Sequence, residues 1–390
     1  MINRQVEQGD GFKIYLTILG ENQAYLSASV TFPRHDVDQL AADVYQRLYE
    51  IVQQYELQIV HERIFADLNF RQTILQARDR AFAPLGARRD LPLTFIQGLP
   101  AYGRGLAGVQ IRGFRPQQPG DGVWIIEHQG EKLGRKWRRN GAEFYMLQNI
   151  YGDRNGDRYR QSCSMFNRAQ EVLQAQGLSF KNVLRTWIYL SHILDWYSEF
   201  NRARNTRFTE FGLLGQSEKE NTEAEHIYLP ASTGILGENP AGAAGTMDVF
   251  AVAPSAEAPS IAHTSGLQQK SPYRYGSAFS RAMTMKEKDL THILLSGTAS
   301  IDEHGKTVFQ NNTVGQIRKT FEVVQALIGH EGASLQHINE ATVFFKCAQD
   351  YHFYQQVAES FGVPDLPAIF IVADVCRDDL LFEIDAAIAF

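Results

Sequence analysis

The run Leu380 to Phe390 (LLFEIDAAIAF) has strand texture and carries a glutamate in a largely apolar setting. By the period of two, Leu380, Phe382, Ile384, Ala386, Ile388 and Phe390 share one face, and Glu383 shares the other with Leu381, Asp385 and Ala387. A carboxyl buried there is costly as an anion, so its pKa rises, and a carboxyl that holds its proton near neutrality can act as a general acid. A solvated strand face explains the same pattern without chemistry. The other candidates are the cations and small residues that the same part of the chain can bring near Glu383: Arg281, Lys346, Gly297 and Cys376. Their ordinary fates are a surface cation for Arg281, a solvated strand end for Lys346 and inert packing for Cys376.

The common catalytic signatures are absent. There is no G-x-x-x-x-G-K-[ST], G-x-S-x-G, H-E-x-x-H or paired C-x-x-C. GLPAYGRGLAG is glycine-rich but leads into strand texture rather than a helix, which argues against a nucleotide-binding loop. Eleven histidines without ligand spacing and three scattered cysteines, Cys163, Cys347 and Cys376, predict neither a metal site nor a disulfide framework. No cofactor is expected.

The 390 residues, 44% of them hydrophobic, suffice for two domains with real cores. No apolar run approaches a membrane span, and MINRQVEQGDGF lacks a signal-peptide core, so a cytoplasmic protein is expected. A net charge of -6 argues against nucleic acid as a partner, and the basic cluster KLGRKWRR reads as a solvated loop.

These residues need elements to hold them. Residues 13–32 alternate as a hairpin, and Val37 to Gln58, capped by Asp36, has helical spacing. Helices follow at Tyr159 to Gln176 and Trp196 to Phe211, with strands at Arg185 to Leu190, Pro230 to Ile235 and Thr246 to Ala253. The same order then returns. GASLQHINEATVFFK matches GLSFKNVLRTWIYL at a constant offset of 155, Leu366-Pro367-Ala368 repeats Leu229-Pro230-Ala231, and Asp248 falls near the place of Glu383. The linker-like PSAEAP (Pro254 to Pro259) divides the chain into 1–255 and 256–390, with residues 1–90 an extension outside the duplication. Ala368 to Val375 and Leu380 to Phe390 read as adjacent strands joined by the turn Arg377-Asp378-Asp379.

The duplicated unit, with its GASL-x-x-V-like strand and E-I-x-A ending, resembles the RidA/YjgF superfamily of enamine/imine deaminases. Those deaminases typically carry a substrate-gripping arginine where this sequence has Ile369. YGSAFSRA, LSGTASI, RTWIYL, PASTGI and CRDDLLFEI together resemble the chorismatases from about residue 95 onward. The resemblance implies an α+β chain of two tandem RidA/YjgF-like units, each a mixed sheet with helices on one face. It implies a lyase or hydrolase that cleaves the enolpyruvyl ether of chorismate to pyruvate, with Glu383 as the acid. Arg281 and Lys346 are then the expected partners of the substrate carboxylates, and Tyr275 an aromatic wall or hydrogen-bond donor. The Gly297 and Cys376 pair resembles the hydroxybenzoate-forming type, giving 3-hydroxybenzoate, with 4-hydroxybenzoate as an alternative isomer; glycine there would leave room for a differently seated ring. A hydrolase giving a dihydroxycyclohexadiene carboxylate, a Rid-type deaminase and a non-catalytic metabolite-binding protein are the competing readings. The superfamily builds sites between units, so both a self-sufficient monomer and a trimer are compatible with the sequence.

Overall fold

Three stretches of alternating hydrophobicity, each interrupted by two amphipathic helices, fold into three sheets of one strand order. The computed structural model describes residues 2–31, 36–86, 91–102, 104–215, 229–264 and 277–390. The first unit comprises β1 (Ile2–Gln8), β2 (Phe12–Leu19), β3 (Gln23–Val30), α1 (Val37–Gln54), β4 (Gln58–Ala66), α2 (Arg71–Phe82), β5 (Thr94–Gln97), the short β6 (Leu99–Pro100) and β7 (Leu106–Phe114). The second comprises β8 (Gly122–His128), β9 (Glu131–Arg139), β10 (Ala142–Tyr151), α3 (Arg158–Ala175), β11 (Val183–Leu190), α4 (Ile193–Glu210), β12 (Ala231–Leu236) and β13 (Gly245–Val252). The third comprises β14 (Ser260–Thr264), β15 (Ala282–Lys286), β16 (Thr291–Ala299), α5 (Thr313–Gly329), β17 (Ile338–Phe345), α6 (Tyr351–Ser360), β18 (Ala368–Val372) and β19 (Phe382–Ala389). No helix of the described residues is long and apolar enough to cross a membrane.

The sheets run β1-β2-β3-β7-β4-β5, β8-β9-β10-β13-β11-β12 and β14-β15-β16-β19-β17-β18. In each, the last strand inserts between the third and fourth. Residues 1–90, set apart in the sequence, therefore supply most of a third unit. Helix α1 shows why this unit folds: Asp36 caps it by accepting from the Gln39 amide at 3.0 Å, and Leu40, Val44, Leu48, Ile51 and Val52 form its buried stripe. The helices cover one face of each sheet. The opposite faces meet in a shared core that takes Phe65, Trp187 and Phe344 from the three units.

Each unit is latched to the next by buried polar pairs. His61 Nε2 lies 2.9 Å from Asp248, Arg185 Nη2 lies 3.2 Å from Asp385, and Glu340 accepts from Arg63 and Arg112 at 2.9 and 2.7 Å. Such pairs contribute little net stability, but losing one partner is costly, so they favour one arrangement of the units. Short β6 of the first unit also joins the edge of β18, pairing Pro100 with Ile371 and Leu99 with Val372. A Cβ on the preceding Gly98 would stand 2.6 Å from Ile371 Cγ2, so the approach requires glycine.

The two C-terminal strands are not a hairpin. Strand β17 lies between them, parallel to β18 and antiparallel to β19. The connecting Asp379 instead accepts from Thr307 Oγ1 at 2.8 Å and Gln310 at 3.1 Å, which anchors the connection across the end of the unit.

Candidate active site

Strand register shows what is special about Glu383. One irregularity recurs in the fourth strand of each unit, at Ile59/His61, Val183/Arg185 and Ile338/Glu340, and it aligns the three sheets. Counting from it, Phe65 pairs with Gly108, Tyr189 with Thr246 and Phe344 with Glu383. Only the third unit thus has an acid at this position. The same count matches Asp248 with Asp385, two residues from the place of Glu383.

Glu383 is only 5% exposed and lies in a cleft between the second and third units. Strand β12 and helix α4 form one wall, through Ser232, Gly234, Tyr197 and Arg204. The other wall contains Phe279, Arg281, Gly297, Ala299, Cys376 and Glu383. The cleft holds about 610 Å³, open solvent at its mouth included. Ser296 fastens the walls, accepting from the Ser232 amide at 2.8 Å and donating to the Ser280 carbonyl at 2.6 Å.

Gly297 sits in a bulge of β16, where the register against β19 shifts between Leu295 and Thr298. A Cβ there would meet Glu383 Oε1 at 2.1 Å and Cδ at 3.0 Å. The absent side chain therefore makes room for the carboxyl itself. Burial, then the negative charge of Asp385, pushes Glu383 up to about 8, against the opposing pull of Arg185 and Arg281. Glu383 consequently carries its proton at neutral pH. Cys376 lies on the cleft wall, and enclosure there together with the nearby Glu383 pushes its thiol up to about 12. It is a neutral thiol, not a nucleophilic thiolate.

Two guanidinium groups converge beside this acid. Arg281 is 6% exposed and Arg204 2% exposed, and they lie 5.8 and 5.4 Å from the Phe279 ring centre. Arg204 also donates to Asn201 at 2.6 Å. Sequence reading missed Arg204 and Tyr197, because α4 gives no local sign that its face is aimed at another unit. The one available signal was an arginine on a helix face otherwise made of core residues such as Phe200, Ala203 and Phe208.

The structure brings Glu383, Arg281, Gly297 and Cys376 together and leaves Lys346 out. Lys346 contacts Asp378 at 2.5 Å and Asp374 at 3.8 Å, beyond the cleft lining, so its charge is already matched by neighbouring acids. Tyr275 lies outside the described residues. Ile369 is wholly buried at the contact of the third unit with the first, where its Cδ1 would stand 2.4 Å from a Cβ on Gly108. Its register equivalent at the Glu383 cleft is Thr233, so the residue at 369 does not decide what this cleft binds. No group of three or more His, Cys, Asp or Glu among the described residues could hold a metal ion.

The family model described as Endoribonuclease L-PSP matches residues 276–390, the third unit without its first strand β14. A 3-hydroxybenzoate synthase of Streptomyces hygroscopicus is 23% identical over 321 residues, covering 74% of this chain and 87% of that protein. A chorismatase crystal structure superposes with a TM-score of 0.60 at 16% identity, covering 85% of this chain and 92% of that one.

Proposed function

We propose that this chain is a chorismatase, cleaving the enolpyruvyl ether of chorismate to pyruvate and 3-hydroxybenzoate with Glu383 as general acid, a reading supported by its likeness to a 3-hydroxybenzoate synthase and to a chorismatase fold. The observation that carries the reading is a protonated carboxyl enclosed in a small-molecule cleft beside two arginines.

Chorismate is a dianion whose enol ether is activated by protonation at its terminal methylene. Glu383 delivers that proton, and the ether carbon becomes an oxocarbenium-like centre. Capture by a hydroxyl of the ring, followed by collapse and aromatisation, releases pyruvate and a hydroxybenzoate that together contain the atoms of chorismate. Capture by water consumes one water and leaves a non-aromatic diol instead. A neutral Cys376 and the carboxyl-filled space over Gly297 favour the first outcome by restricting what else reaches the activated carbon. The 4-isomer is the alternative aromatic product. Arg204 and Arg281 are the partners for the two substrate carboxylates, since charge-assisted hydrogen bonds are the stronger kind.

Incubation with chorismate, a pyruvate assay and chromatography against authentic hydroxybenzoates and the diol test this reading. Absence of pyruvate overturns it. Arg281→Ala and Arg204→Ala are each expected to lower kcat/KM roughly ten- to a hundredfold, the cost of about 1.5–3 kcal/mol for a lost charged hydrogen bond. Lys346→Ala should leave the kinetics unchanged. Normal kcat/KM in both arginine variants would move the substrate carboxylates elsewhere. Because the described walls of the cleft belong to one chain, pyruvate release per molecule should also be constant on dilution. A loss of specific activity would show that a second copy completes the site.

A further inference from the structure

Glu383 and Asp385 lie two residues apart on the same face of β19, and both are buried, at 5% and 3% exposure. Two carboxyls so placed cannot both ionise cheaply, and the proton goes to the one with fewer donors. The donors are unequally shared. Asp385 Oδ2 accepts from Thr233 Oγ1 at 2.8 Å and from Arg185 Nη2 at 3.2 Å, both reaching across from the second unit. No described residue donates a hydrogen bond to the Glu383 carboxyl. We propose that Asp385 is a positioning residue, a fixed negative charge that makes Glu383 the proton-holding member of the pair. This rests on the acid role given to Glu383 above.

The competing account is that Asp385 is only an interface latch. At the preceding interface Asp248 makes the same kind of contacts, accepting from Thr94 at 2.5 Å and lying 2.9 Å from His61, and there the neighbouring position is Thr246. The latch alone therefore needs no acid beside it. Among the described residues, the other groups facing Glu383 are Arg185 from β11 and Tyr197 and Arg204 from α4 in the second unit, and Arg281 before β15 and Cys376 and Arg377 before β19 in the third. Arg185 and Arg281 favour the ionised carboxylate, and Asp385 is the charge that opposes them.

Asp385→Asn removes that charge and leaves Arg185 uncompensated. Its kcat/KM for pyruvate release should fall off at a pH lower than in wild type by about one unit or more. A purely structural role would reduce stability or rate without moving that limb. The second readout is the carboxyl infrared band of Glu383, identified by its loss in Glu383→Gln and followed against pH. It reports the proton affinity whatever the substrate, so a protein that makes no pyruvate fails the functional reading while still testing this one. Breaking a buried pair is often destabilising, so Asp385→Asn combined with Arg185→Gln, which removes both charges, serves where the single variant does not fold. In the single variant, and in the double variant compared with Arg185→Gln alone, a band titrating at lower pH supports the inference, and an unchanged or raised titration overturns it.

Discussion

Glu383→Gln should fold as the wild type does and release pyruvate from chorismate roughly a hundred- to ten-thousandfold more slowly. The amide keeps the shape of the side chain over Gly297 and cannot supply a proton. The same substitution has a signature in stability. Glu383 has an ordinary value near 4.5 and is raised to about 8 in the folded protein, so between these limits the folded state holds a proton that the unfolded state has released. Stability from this group is full below that window and is lost as pH rises through it. The glutamine variant has no such dependence, so its melting temperature should gain on the wild type from pH 5 to pH 9. The gain corresponds to a few kcal/mol at most, since each tenfold difference in proton affinity between the folded and unfolded states is worth about 1.4 kcal/mol. Pyruvate release above about a tenth of wild type would remove Glu383 from the acid role. A stability difference that stays flat with pH would show that its proton is not held by the fold.

Gly297→Ala should be nearly as damaging, for a reason of geometry. The new methyl would lie 2.1 Å from Oε1 of Glu383 and 3.3 Å from Thr233 Cγ2, so the carboxyl must withdraw. A displacement of about an ångström at a reacting group costs on the order of a hundredfold. The carboxyl would also vacate part of the space it now fills, giving water better access to the activated carbon. Residual product should therefore shift from hydroxybenzoate toward the non-aromatic diol, and further so when combined with Cys376→Ala. Single-turnover rates and chromatography of the products check both parts. A turnover within a few-fold of wild type would mean that Glu383 has an equally good position off the bulge.

Much of this protein is legible in its sequence, because short-range patterns carry the information. The alternation in β19 marks Glu383, the spaced apolar residues of α1 and α5 mark those helices, and the offset of 155 marks the second and third units as copies. The first unit escapes because its likeness to the others is physical rather than textual. The helix-ending position with positive φ is glycine in two units, Gly177 and Gly332, and Glu56 in the first. Burial pattern and strand order survive while the repeated residues do not. The composition of the cleft lies beyond local reading. In sequence Lys346 looks as available as Arg281, and only the fold pairs it with neighbouring acids, while Arg204 lies on a helix of the second unit whose sequence shows only its inner face. Gly297 reads in sequence as room for a substrate ring, and the structure gives that room to the carboxyl of Glu383. Which side chains share a cleft depends on how the units close on one another. That closure is set by contacts such as Arg185 with Asp385, 200 residues apart, which no window of the sequence contains.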